Sequence, residues 1–265
     1  MKTLQIILKS AVEINAKLAV ISDVQPDLIL VFGALSFFQR QELAEAVHQL
    51  APNATIAGCS TAGEIAVDRV YDNTCVISAI KFDKIKAIGI STRLTGMNDS
   101  FDAGVRLAKN FNPNELSAVI IFGVGVNING SGLVAGWMPF GPRRKVTKSF
   151  GLTLAGDIDA NGYLKLMHSS TEKLIAGAET AAMHAMDSLT KNLVDDPLAI
   201  LISCVGRKLV VGDRVDEEVE AVAEMLSKNV CVTGFYSNGE IAGDKFLDEC
   251  HLHNQTMTIT YMTET

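Results

Sequence analysis

The strongest constraint on this chain is a nine-residue pattern that it contains twice. Gly58-Cys59-Ser60-Thr61-Ala62-Gly63-Glu64-Ile65-Ala66 and Gly234-Phe235-Tyr236-Ser237-Asn238-Gly239-Glu240-Ile241-Ala242 both read G-x-x-[ST]-x-G-E-I-A. They start 176 residues apart, and the same order of elements surrounds each copy. An apolar run over residues 28–32 predicts a buried strand, and Leu43, Val47 and Leu50 recur at helical spacing over residues 39–50. A short strand over 55–57 then leads into the first copy. The second is preceded by a strand over 198–203, a helix over 216–226 with Val219, Val222, Ala223 and Leu226 on one face, and a strand over 230–233. A closing strand follows each copy, over 75–82 and 256–261, and Asn73-Thr74 and Asn254-Gln255-Thr256 lead into them. A repeat embedded in repeated element order predicts an internal duplication.

The rest is less regular. A helix is expected over 10–22, strands over 87–91, 118–122 and 163–167, and an Ala-rich helix between layers over 171–186. Gly136-Trp137-Met138-Pro139-Phe140-Gly141-Pro142 reads as turns. Alternating strands and helices predict an α/β fold with mixed sheets. It divides into two related strand–helix–strand–turn–strand halves, 1–135 and 136–265.

Composition limits the function. The 265 residues are 48% hydrophobic and 20% charged, enough for a sizeable core. A net charge of −7 argues against nucleic-acid binding, which needs a positive face. The five cysteines form no C-x-x-C and are odd in number, which suits a reducing compartment. No apolar stretch is long enough to span a bilayer, and the expectation is a cytoplasmic protein without membrane insertion.

The doubled motif is the first candidate site. Gly58 and Gly234 follow strands, and strand exits are where α/β folds place ligands. Ser60 and Thr61 in one copy, and Tyr236, Ser237 and Asn238 in the other, offer hydroxyls and an amide. Glu64 and Glu240 have two readings: paired carboxylates facing one cleft for an amine, cation or sugar, or caps on the backbone of their own turns. Cys204 is either a thiol activated beside Arg207 or a core residue at a strand end. Arg207 suits a ligand carboxylate, or an internal one. His251 and His253 would share one face of a strand, as zinc ligands, a haem axial ligand or plain hydrogen-bonding groups. No nucleophile elbow, P-loop or dinucleotide fingerprint is present.

The segment 27–32 followed by Gly58–Glu64 resembles the N-terminal half of the FIST sensory family. Ser203-Cys204-Val205-Gly206-Arg207, the second motif and Cys250-His251-Leu252-His253 with the Thr256 strand resemble its C-terminal half. The resemblance implies a non-enzymatic sensory domain of bacterial signalling that binds a small ligand such as an amino acid. Stand-alone members include nitric-oxide-sensing haemoproteins that act on a partner histidine kinase. That likeness implies haem b as cofactor, with His253 as first ligand and His251 as second. It also implies a histidine kinase or other signalling protein as partner. The chain is shorter than typical members, with joins expected after Ala135 and near 149–152. Such a loss would expose apolar surface and favour repacking or a homo-oligomer.

Overall fold

The apolar run at 28–32 has too few polar positions to face water on either side, and the computed structural model puts it at the centre of a sheet. The structure describes residues 1–123, 128–137, 149–150, 169–187, 196–226, 229–243, 250–253 and 255–264.

The first half contributes β1 (Lys2–Leu8), α1 (Ile14–Leu18), α2 (Ile21–Val24), β2 (Leu28–Gly33), α3 (Leu35–Phe38), α4 (Gln41–Leu50) and β3 (Thr55–Ser60). It continues through β4 (Glu64–Ala66), β5 (Arg69–Tyr71) and β6 (Cys75–Lys81). The middle holds α5 (Ser100–Ala108), α6 (Gly130–Trp137) and β7 (Ser149–Phe150). The last part runs α7 (Thr171–Asp187), β8 (Leu198–Cys204), α8 (Val205–Val211), α9 (Val215–Met225) and β9 (Cys231–Ser237). It closes with β10 (Glu240–Gly243), β11 (Cys250–His253) and β12 (Met257–Met262).

Two mixed sheets form the body, as an α/β fold requires. One has the order β1-β6-β2-β3, the other β12-β8-β9-β4-β5, and a small third sheet is β11-β10-β7. In each large sheet a parallel pair, β2 with β3 or β8 with β9, lies beside an antiparallel closing strand, β6 or β12. Side chains alternate faces along a strand. Ile29 and Val31 pack on α1 and α4 with Leu18, Leu43 and Val47. Leu30 and Phe32 face the other sheet and meet Ile200, Ile202 and Phe235. Phe32 and Phe235 pack with ring centroids 4.7 Å apart and planes tilted by 38°. On the far side Ala199 and Leu201 pack under Ala178, Ala182, Val219 and Val222 of α7 and α9. The layers are therefore helix, sheet, sheet, helix, and every strand of the centre is buried on both faces.

The halves are interleaved. The strand β4 leaves the first half and adds to the second sheet, antiparallel to β9, with Glu64 opposite Phe235 and Ile65 opposite Gly234. The two motif copies thereby touch each other directly. The last residues tie back as well: Glu264 accepts the N–H groups of Asp83, Lys84 and Ile85 at 2.7–2.8 Å.

Several boundaries differ from expectation. The helix expected over 10–22 breaks into a short 3-10 turn, α1 and α2, yet Ile14, Leu18 and Ile21 stay on its buried face. Residues 87–91 and 118–122 form no strand; Ala87, Ile120 and Phe122 pack against the core between the sheets without joining a ladder. The strands before the motifs run further than predicted, to Ser60 and Ser237. The strand expected at 163–167 lies outside the described residues, as do nearly all residues around the second expected join. No helix among the described residues is long and apolar enough to cross a membrane.

Candidate functional site

Gly58 and Gly234 lie inside strands, not after them, and both are needed for close approach. A Cβ on Gly58 would stand 1.9 Å from the Val31 carbonyl oxygen, and one on Gly234 would stand 1.8 Å from that of Leu201. Each partner is the residue directly opposite across the parallel pair. Only a glycine lets the two backbones come this near. The turns proper are 61–63 and 238–239, where Gly63 has φ +145.

The two glutamates do the same work in each copy. Thr61 donates its hydroxyl to Glu64 at 2.6 Å, and Thr74 donates both its N–H and its hydroxyl, at 3.1 and 2.7 Å. Ser237 donates to Glu240 at 3.3 Å; Thr256 donates its N–H at 3.2 Å and also its hydroxyl. The residues before the two threonines, Asn73 and Gln255, both adopt positive φ, 59 and 55. Each carboxylate is fully buried. Of the two readings open for these groups, the hydrogen bonds favour the cap: Glu64 and Glu240 clamp each motif turn to the start of its closing strand.

Burial pushes the Glu240 carboxyl up from its usual 4.5 to about 7, against the lowering effect of the Thr256 and Ser237 hydrogen bonds. Between those values the unfolded chain releases a proton that the folded one keeps. The stabilisation is therefore complete below about pH 4.5 and lost as pH rises towards 7, a change on the order of 3 kcal/mol. Denaturant unfolding at pH 5, 6, 7 and 8 should show Glu240→Gln gaining on the wild type as pH rises. Parallel stability curves would contradict this.

Arg207 is also consumed inside the protein. Its Nε donates to Glu218 at 2.6 Å, its Nη2 to the Leu174 carbonyl at 2.7 Å and its Nη1 to the Gln255 carbonyl at 3.2 Å. Glu218 accepts further from the Tyr236 hydroxyl at 2.7 Å and from Ser203 at 3.3 Å. Burial, then the Glu218 charge, raises the Tyr236 phenol well above its ordinary range. In this structure Arg207 is a buried strut joining α7, α8, α9 and the approach to β12. Cys204 is a buried core residue. The thiols of Cys59 and Cys75 are pushed up to about 12 by burial and stay protonated.

What remains gathers in one place. Leu35, Ser60, Thr61, Ala62, Tyr236, Ser237 and Asn238 line a cleft of about 170 Å³. It lies at the carboxyl ends of β3 and β9, so both copies of the motif contribute walls. Backbone bonds hold it together: the Ala62 N–H donates to the Tyr236 carbonyl at 3.0 Å, and the Tyr236 N–H to that of Gly63 at 2.8 Å. Five of the predicted ligand residues converge here, while Gly58, Glu64, Cys204, Arg207 and Glu240 do not line the cleft. Sequence reasoning missed Leu35 and Lys208, which carry no motif.

The cleft does not fit haem. It is smaller than the roughly 300–1,000 Å³ of drug-sized ligand sites, and its lining has no imidazole, thiol or thioether. The Tyr236 hydroxyl is already engaged. His251 and His253 lie on β11, opposite Ala242 and Glu240 of β10.

In this α/β body the two copies of the motif together wall one small polar cleft. Residues 27–138 match the family model described as the FIST N domain, and residues 141–243 match that of the FIST C domain. The chain is a FIST-domain protein. FIST domains are small-ligand sensory domains of signal transduction. No curated protein matches the chain.

Proposed function

We propose that this chain is a sensory module that recognises a small polar metabolite, of about amino-acid size, in the cleft between its two motif turns. One observation carries the reading: the walls come jointly from both copies of the duplicated motif, so a ligand bridges the interleaved halves. Ser60 and Asn238 are exposed there, and their side chains make no hydrogen bond among the described residues. They are the free polar groups a ligand would engage. Filling the cleft changes how the halves are held, and a signalling protein, a histidine kinase in the stand-alone class, reads that change.

Binding to the folded state alone raises the melting temperature by mass action. A thermal-shift screen of free amino acids and small hydroxylated metabolites should return stabilising compounds. Ser60→Trp, which fills the cleft from its rim, should abolish the shift and leave the melting of the free protein unchanged. Stabilisation that persists in Ser60→Trp would move the site elsewhere. Added haemin giving a Soret band that vanishes in His253→Ala would replace this reading with the haem-based one.

A further inference from the structure

The cleft walls offer hydroxyls, an amide and backbone, yet a cation stands just behind them. Lys208, on α8, donates to the Ala62 carbonyl at 2.9 Å and pairs with Asp72. Its Nζ lies 5.7 Å from the centroid of the Tyr236 ring. Ala62 and Tyr236 are both wall residues. A Cβ at Gly63 would sit 2.5 Å from this Nζ, so the motif glycine keeps the path of the ammonium open.

We propose that Lys208 is an exchangeable carboxylate contact, held on Asp72 in this structure and drawn to the carboxylate of a ligand in the cleft. The proposal rests on the cleft being the ligand site and narrows the ligand class. Three observations support it. First, the bond to Asp72 is easily given up. The Asp72 side chain is 62% exposed against 17% for Lys208, and ion pairs with a solvated partner are worth about 1 kcal/mol or less. A carboxylate held in the cleft meets the same ammonium with less competition from water.

Second, lysine has the reach. Its four-carbon stem carries a point charge that turns freely between partners, unlike the neighbouring Arg207, whose fork is fixed on three acceptors. Third, the opposite end of such a ligand is provided for. Thr61 gives its hydroxyl proton to Glu64, and the acceptors within reach of the Ser237 hydroxyl, the Gly239 carbonyl at 3.2 Å, Glu240 at 3.3 Å and the Ser203 carbonyl at 3.5 Å, are all internal, so these two oxygens are left as acceptors towards a ligand. An ammonium or amide N–H on the ligand would be received there, with two carboxyl groups behind. The ligand class is therefore a small molecule carrying a carboxylate near an N–H donor. Exchange also breaks the link from α8 to Asp72, beside the end of β5, and so couples occupancy to the contact between the halves.

The test compares amino acids with their own carboxamides, by calorimetry and by thermal shift. In the wild type the acids should bind and the amides should bind more weakly. Lys208→Met should erase that difference, Lys208→Arg should keep it, and Asp72→Asn should raise affinity for the acids about two- to fivefold, the worth of an exposed pair. Equal binding of acids and amides by the wild type, lost in Ser60→Trp, would overturn the role of Lys208 and leave the cleft intact as the site. Binding of neither would overturn both.

Discussion

Arg207→Ala should cost about 3–5 kcal/mol of folding free energy, the usual penalty for breaking a buried ion pair by removing one partner. Glu218 is wholly buried and would keep only Tyr236 and Ser203 as donors. The Leu174 and Gln255 carbonyls would each lose the Arg207 donor too. Urea unfolding should show a much lower midpoint with little change in slope. The double variant Arg207→Met/Glu218→Gln should recover part of the loss, because no charge is left stranded and Tyr236 still finds an acceptor. A ligand role for Arg207 predicts the reverse: a stable Arg207→Ala that no longer responds to ligand. A loss under about 1 kcal/mol together with an abolished thermal shift would therefore return Arg207 to the ligand site.

The contrast shows what could be read from the chain and what could not. Periodicity located β2, α4, β8, α9 and α7 to within a few residues, because each buries a regular stripe or a continuous run. It failed at 87–91 and 118–122: Ala87, Ile120 and Phe122 pack on the core between the sheets, Ile88 and Ile90 are exposed, and no neighbouring strand among the described residues completes a ladder. Both copies of the doubled motif line the cleft. The pattern could not say which of its members face inward. Glu64 and Glu240 look like ligand groups in one dimension, since the threonines that satisfy them stand 10 and 16 residues further on. Likewise Arg207 on α8 finds Glu218 on α9, 11 residues further on, and Leu174 on α7, 33 residues back. Lys208 was invisible because its partners, Ala62 and Asp72, lie in the other half, brought near only when β4 crosses to the second sheet.

Gly58→Ala and Gly234→Ala should each cost upward of about 3 kcal/mol, and by similar amounts. A methyl group placed 1.9 or 1.8 Å from a carbonyl oxygen cannot be absorbed by a rotamer change, since the obstacle is backbone. The parallel strands must part by more than about 1 Å. That weakens neighbouring ladder bonds, each worth roughly 0.5–1.5 kcal/mol, and strains packed layers on both faces at about 1–3 kcal/mol. Gly177→Ala is the control: it lies within α7 with nothing within 4 Å of the added atom, and it should stabilise by about 0.5–1 kcal/mol. The near-equality of the two large effects is the sharper expectation, because it follows from the duplication and not from either site alone. Each glycine opposes the corresponding residue of its own parallel pair, and each strand then turns into a glutamate clamped by a threonine. If Gly234→Ala folds within about 0.5 kcal/mol of the wild type while Gly58→Ala does not, the two halves share a sequence pattern without sharing its physical cause. The cleft would then be built by the first motif, with the second only completing its wall.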